Sequence, residues 1–223
     1  MTFSILGTDA TGAIGSAIGS SSPAVAARCV SLADGIGGVH SQNVTDPRLG
    51  PQLISRLCEG QSAHEALSDL VSATPGIEYR QLLVIDRRGS SAIFSGSRVL
   101  GRHSHAQSSH AVAAGNMLAD TRIPQIMVDA FDSASGQLEL RLLSALNAAV
   151  AAGGEEGPVR SAGIAVVHDV GWRVTDVRVD WADKPVELLG QILVDTWMPQ
   201  REDYIRRALA PETASSYGVP GDE

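Results

Sequence analysis

The chain has 223 residues, 43% of them hydrophobic and 19% charged, and a formal net charge of −8, which is the make-up of a soluble globular protein with a real core. Lys184 is the single lysine against sixteen arginines, and the acidic balance argues against sequence-independent nucleic-acid binding, which needs clustered basic side chains. No apolar run approaches the roughly 18 residues that span a bilayer, and the N-terminus lacks the charged and apolar regions of a secretory signal, so the expected compartment is the cytoplasm.

Residues 2–8 alternate as a strand, with Thr2, Ser4 and Leu6 on one face and Phe3, Ile5 and Gly7 on the other. Thr8 to Gly12 is turn chemistry, and residues 13–19 pair back as a second strand. That strand is built from small residues (Ala13, Gly15, Ser16, Ala17, Gly19), so something packs close against it. After Ser20-Ser21-Ser22-Pro23 and a short helical turn, residues 29–42 suit further strand. A helix is expected at about 50–58 with Gly60 as its stop, and a second at 63–73, opened by a capping box of Ser62 and Glu65. Residues 79–86 and 90–96 flank the turn Arg87-Arg88-Gly89 as a hairpin, and 109–114 is another strand. Helices follow at 123–134 and 137–152, the second ended by Gly153-Gly154. Strands at 161–168 and 172–180 make a last hairpin, and a final helix runs over 185–197. Cys29 and Cys58 fit buried, reduced thiols rather than a bridge or a zinc pair.

Hairpins dominate this order, so the sheets should be mostly antiparallel. The expected architecture is α+β, a four-layer αββα sandwich with two sheets face to face and helices outside; periodicity alone does not separate it from a single covered sheet. One domain is expected over residues 1–210, followed by a Gly/Pro-rich, disordered tail over 211–223. Trp172, Trp181, Trp197 and Tyr204, all in the C-terminal third, read as core or subunit-interface residues, and Leu188, Leu189, Ile192, Leu193 and Trp197 as a core-facing or interface stripe.

Several blocks occur in order along the chain. They are Thr2-Phe3-Ser4-Ile5, the turn with Asp9 and Gly12, Pro47 to Pro51, Glu59 to Leu67, Tyr79-Arg80-Gln81, Phe94-Ser95-Gly96, Gly115 to Leu118, Ser161-Ala162-Gly163 and Asp176 to Asp180. Together they resemble the bacterial family catalogued as domain of unknown function ten-twenty-eight, placed in the N-terminal-nucleophile (Ntn) hydrolase superfamily, over about residues 2–195. The resemblance implies the αββα fold and an amidohydrolase in which a terminal Thr, Ser or Cys attacks an amide carbon. It supplies no substrate. Two segments depart from the family's pattern, Leu100 to His105 and Val39 to Gln42, and both are candidates to line the pocket.

The chemistry then rests on Thr2. With Met1 removed, Thr2 carries a nucleophile, its Oγ, and a base, its own α-amine, whose ordinary pKa is about 7.7–8.0. With Met1 retained, the amine is blocked and Thr2 is an ordinary strand residue. Asn116 at a strand end is the candidate oxyanion donor, and Gly115 beside it permits close backbone approach; the plain alternative is a turn capped by Asn. Ser20, Ser21, His40, Gln42 and Asn43 are candidate substrate-binding residues at strand ends, and equally ordinary loop residues. Arg80 reads as a fork for a substrate carboxylate, or as the partner of Asp86 or Asp34. His103, His105 and His110 have spacing that suits a transition metal, but no Cys or carboxylate stands beside them. The expected function is hydrolysis of a non-peptide C–N bond in a small linear or cyclic amide, without metal or other cofactor, by a homo-oligomer that binds neither nucleic acid nor membrane. The alternative is a non-catalytic binding or scaffold protein on the same fold; a metal-dependent hydrolase built on the histidines is a weaker third.

Overall fold

The structure is a computed structural model that describes residues 1–213 and Ser216. Ten strands form two sheets. The first six are β1 (Thr2–Thr8), β2 (Ile14–Ser20), β3 (Val30–Ala33), β4 (Gly37–Asn43), β5 (Arg80–Asp86) and β6 (Ser91–Ser95). The others are β7 (Ser104–Gln107), β8 (Ala111–Asn116), β9 (Ser161–Val167) and β10 (Arg173–Val179). One sheet has the order β10-β9-β2-β1-β8-β7 and the other β3-β4-β5-β6. Every paired neighbour is antiparallel.

The helices are α1 (Val25–Cys29), α2 (Leu49–Cys58), α3 (Ala63–Ala73), α4 (Ile123–Ser133), α5 (Leu138–Ala151), α6 (Pro185–Gln191) and α7 (Met198–Leu209), with a π-helical stretch, Ile192–Trp197, joining the last two. Strand alternation sorts the side chains into three apolar layers. Phe3, Ile5, Ala113, Ile164 and Val166 face outward onto α4, α5 and α6. Val39, Leu82 and Val84 face outward onto α2 and α3. Leu6, Ile14, Leu83, Ile85, Val112 and Val167 meet between the sheets. This is a four-layer αββα sandwich of the α+β class, as the hairpin count led one to expect. The small residues of β1 and β2 have their reason in it: a Cβ on Gly7 would lie 2.5 Å from Phe131 Cζ, and one on Gly15 2.6 Å from Leu142 Cδ1. The helices α4 and α5 therefore sit against bare backbone.

The capping box is present, with the Ser62 hydroxyl accepting from the Glu65 N–H and the Glu65 carboxylate accepting from the Ser62 N–H. The stretch 29–42 is strand as expected, in two pieces, β3 and β4, because Asp34, Gly35 and Ile36 turn the chain between them. Three points of the sequence reading need correction, β7, the end of the last helix and Cys58. Strand β7, in the histidine-bearing segment, is absent from the expected strands; it is short, three of its four residues are polar and it lies at a sheet edge, so period-2 burial does not mark it. The last helix does not stop at 197 but continues as α7. Cys29 is buried, but Cys58 is exposed. Of the aromatics, Trp172 and Trp181 are exposed, so of core and subunit interface only the second is open to them. Trp197 stacks on Tyr204 at 5.5 Å between ring centres, and Leu189 and Leu193 turn inward while Leu188 is exposed. The expected disordered tail opens with a 3-10 turn over Pro211–Thr213; its remainder, Ser216 apart, lies outside the described residues. Among the described residues no helix is long and apolar enough to cross a membrane.

Candidate active site

One end of the inter-sheet layer lies where β1 begins. Thr2 stands opposite Asn116 of β8, and Phe3 opposite Gly19 of β2, which leaves Ser20 flanking Thr2 on the other side. The alternation that sends Phe3 into the helix layer turns Thr2, Ser20 and Asn116 onto the inner face. The Thr2 hydroxyl donates to the Met1 carbonyl oxygen and lies 3.4 Å from Ser20 Oγ. Ser20 Oγ donates to the same carbonyl and accepts from the Ser22 N–H at 3.0 Å. Two hydroxyls thus converge on one carbonyl oxygen. Met1 roofs the site, its methyl group packed toward Gly157, and Thr2 is only 5% exposed.

A buried chain of amides runs behind this site. Ser4 Oγ donates to Gln42 Oε1 at 2.8 Å, and Gln42 Nε2 donates to Gln81 Oε1 at 2.8 Å. Gln81 Nε2 donates to Ser95 Oγ and to the Gly115 carbonyl, and Asn116 Nδ2 donates to Gln81 Oε1 at 3.1 Å. The chain fixes each amide's orientation: Gln81 Nε2 faces two acceptors, so its Oε1 must accept, and Asn116 must present nitrogen to it. Asn116 keeps a second N–H, while its Oδ1 is buried with no hydrogen-bond partner among the described residues.

The segment after α5 completes the wall. Gly153 and Gly154 have φ of +104° and +60°, a pair of left-handed residues that ends α5 with bonds to Val150 and Ala149 and sends the chain across the end of β1. The Gly154 carbonyl accepts from the Ala119 N–H, the Glu156 N–H donates to the Met117 carbonyl, and Glu155 bridges to Leu118. Met117 pays for this turn with a φ of +50°, a strained value for a side chain of its size. Glu155 is 3% exposed, and neither of its carboxylate oxygens reaches hydrogen-bond geometry with a partner. Burial pushes its pKa up to about 7, against the opposing pull of the chain's terminal ammonium and of the Ser21 hydroxyl and N–H nearby. Sequence reasoning missed Glu155, since an acidic pair in a glycine-rich loop reads as solvated. It also missed Gln81 as a site residue, for which a signal existed: Gln81, Leu83 and Ile85 share the inward face of β5, where an amide is out of place.

The other expected residues are scattered. His40 is fully buried deeper between the sheets, its Nε2 2.6 Å from Ser16 Oγ, and desolvation drives its pKa down to about 3. Because Ser16 pairs with Leu6, His40 stands about four strand residues, some 13 Å, from Thr2. Asn43 donates to the Tyr79 carbonyl and accepts from the Leu100 N–H, bracing the loop whose Leu100 carbonyl accepts from Met117. Arg80 pairs with neither Asp86 nor Asp34; its guanidinium donates to the Val44 carbonyl. Asp86 lies at the far end of β5, and Asp34 accepts from the N–H groups of Asp169 and Gly171. Gly115 leaves no room for a side chain, since a Cβ there would lie 2.4 Å from Leu118 Cδ2. Ser21 lies by Glu155. His103, His105 and His110 are exposed, and among the described residues no three His, Cys, Asp or Glu side chains are grouped to hold a metal. A 520 Å³ hollow lies at the other end of β1, under Arg201, and a 410 Å³ groove runs along the outer side of the Gly153–Val159 segment.

Fold and site together define an αββα protein whose second residue, a buried threonine, opens a central strand at one end of the layer between two sheets. The chain belongs to the family of unknown function DUF1028, which matches residues 2–189. It is similar to a protein of that family from Silicibacter pomeroyi, known from a crystal structure, with 31% identity and a TM-score of 0.84 over 92% of this chain and 94% of that one. None of the curated proteins matches it.

Proposed function

We propose that this protein is an Ntn-type amidohydrolase in which Thr2, freed of Met1, is the nucleophile. The observation that carries the reading is the convergence of the Thr2 and Ser20 hydroxyls on a single carbonyl oxygen at the head of β1. Thr2 Oγ attacks the substrate's amide carbon while its proton passes to the Thr2 α-amine. The Ser20 hydroxyl and the spare N–H of Asn116 face the oxyanion, and one such donor is worth about 3–4 kcal/mol in the transition state. The C–N bond breaks as the α-amine returns the proton to the leaving nitrogen. Water, deprotonated by the same amine, then cleaves the Thr2 ester. His40 takes no part, since it is held neutral and far from Thr2. The reading includes a cytoplasmic location, a small-molecule amide as substrate and a homo-oligomeric state, the last measurable by sedimentation equilibrium.

Intact mass spectrometry and one variant test the proposal. The active protein should have the mass of a chain beginning at Thr2, and Thr2→Ala should lose at least 1,000-fold in kcat on an unchanged fold. Turnover by Thr2→Ala, or activity confined to protein that retains Met1, overturns it.

A further inference from the structure

Met1 occupies the proposed site as an aminoacyl group in amide linkage, and the surrounding residues treat each of its parts differently. Its carbonyl oxygen takes the Thr2 and Ser20 hydroxyls. Its side chain reaches Gly157, with Cε 3.2 Å and Sδ 3.4 Å from where a Cβ there would stand, so the wall is open to a side chain because that residue is glycine. Its ammonium acts on Glu155, whose two carboxylate oxygens are buried and, with the Ser21 hydroxyl and N–H nearby, reach hydrogen-bond geometry with no group among the described residues. An unpaired carboxylate at that depth is costly unless a cation sits beside it. When Met1 leaves, the terminal amine moves back to Thr2, and the carboxylate, the hydroxyl pair and the glycine gap remain around an emptied space.

We infer that this space binds the aminoacyl half of the substrate, so that the amide cleaved is that of a free α-amino acid, with Glu155 pairing the substrate's α-ammonium. The inference rests on the hydrolase reading only for the bond that is cut; the recognition by Glu155 stands without it. Glu155 acts as a specificity residue. The acyl carbon sits one bond-length or more outward of Met1's, clear of the Thr2 nitrogen. Attack by Thr2 Oγ forms an ester to the amino acid, the C–N bond breaks with its nitrogen taking the proton held by the Thr2 amine, and water releases a free amino acid. An acyl group whose nitrogen is already acylated has no charge for Glu155 and leaves it buried and unpaired.

The test uses full-length protein beginning at Thr2, verified by intact mass, with L-methioninamide and N-acetyl-L-methioninamide as probes. Binding is read by calorimetry on Thr2→Ala at pH 8, and turnover by ammonia release from the unmutated chain. L-methioninamide should bind, the N-acetyl compound should bind at least 30-fold more weakly, and Glu155→Gln should cost at least tenfold in affinity for L-methioninamide, appearing as a rise in KM with a smaller change in kcat. Glu155→Asp, which keeps the charge, should recover part of the loss, and circular dichroism checks that each variant is folded. Equal binding of both probes, no binding of L-methioninamide, or an unchanged Glu155→Gln overturns the inference. Hydrolysis of N-acylated amides would do so while sparing the hydrolase; ammonium-dependent binding without turnover would sink the hydrolase and spare the inference.

Discussion

Gln81 is the residue on which the site's geometry turns. It is fully buried, and its one amide ties Gln42, Ser95, the Gly115 carbonyl and Asn116 together. Removing it strands donors and acceptors in a dry layer, where each unsatisfied group costs about 1–3 kcal/mol. Gln81→Leu should therefore lower unfolding stability by roughly 2–4 kcal/mol in urea melts. It should also lower kcat more than it raises KM, because the Asn116 amide loses its fixed orientation. These inward polar positions were partly legible beforehand: Ser4, Gln42 and Asn116 fall on the inner face by simple alternation. Glu155 was not, because what buries it is a three-dimensional crossing of the Gly153-Gly154 turn over β1 that no local spacing encodes.

At the scale of elements, α7 is the weakest attachment. None of its residues is buried, and it is held by Arg201, which pairs with Glu139 of α5, a carboxylate 2% exposed that also accepts from Thr175 at 2.8 Å. Trp197 donates to Thr175 at 3.0 Å and stacks on Tyr204. Truncating one partner of a buried ion pair costs about 3–5 kcal/mol because the other charge is left alone. Arg201→Ala should cost about 3 kcal/mol and make the α7 segment the first site of limited proteolysis, while Arg201→Lys should recover part of that. The strong elements were readable from pattern: a capping box for α3, apolar stripes for α4 and α5, glycine punctuation for the hairpins. What escaped was set by tertiary context. Strand β7 owes its existence to pairing with β8, and α7 to Arg201, Trp197 and the half-buried Met198 and Ile205 rather than to a continuous apolar stripe.

For the whole molecule, two buried groups pull stability in opposite directions with pH. His40 titrates at about 3 in the fold but at about 6.5 when unfolded, so below neutrality the unfolded chain binds the extra proton. Stability should fall as pH drops from about 6.5 toward 3, by up to about 1.4 kcal/mol per unit from this group. Glu155 works the other way: with its folded pKa raised to about 7, the native state holds the extra proton between about 4.5 and 7, and stability declines as pH rises through that window. The combination predicts a maximum on the acid side of neutrality. Thermal melts from pH 4 to 9 should show His40→Asn flattening the acid limb, and Glu155→Gln melting higher than the unmutated protein at pH 8, by an amount on the order of 2 kcal/mol. A Glu155→Gln variant less stable at pH 8 would mean that the carboxylate has a partner of its own.

The first strand that a ribosome makes of this chain is an interior member of the larger sheet, flanked by β2 and by β8. Its second neighbour is not synthesised until more than a hundred residues later. For that interval both edges of the β1–β2 hairpin stand uncovered, since β9, the other neighbour of β2, comes later still, a state prone to pairing with the wrong chain. Refolding should accordingly be slow and concentration-sensitive. Anything fused ahead of the first residue must pass the Gly157 wall against which Met1 packs, so a purification handle belongs at the other terminus.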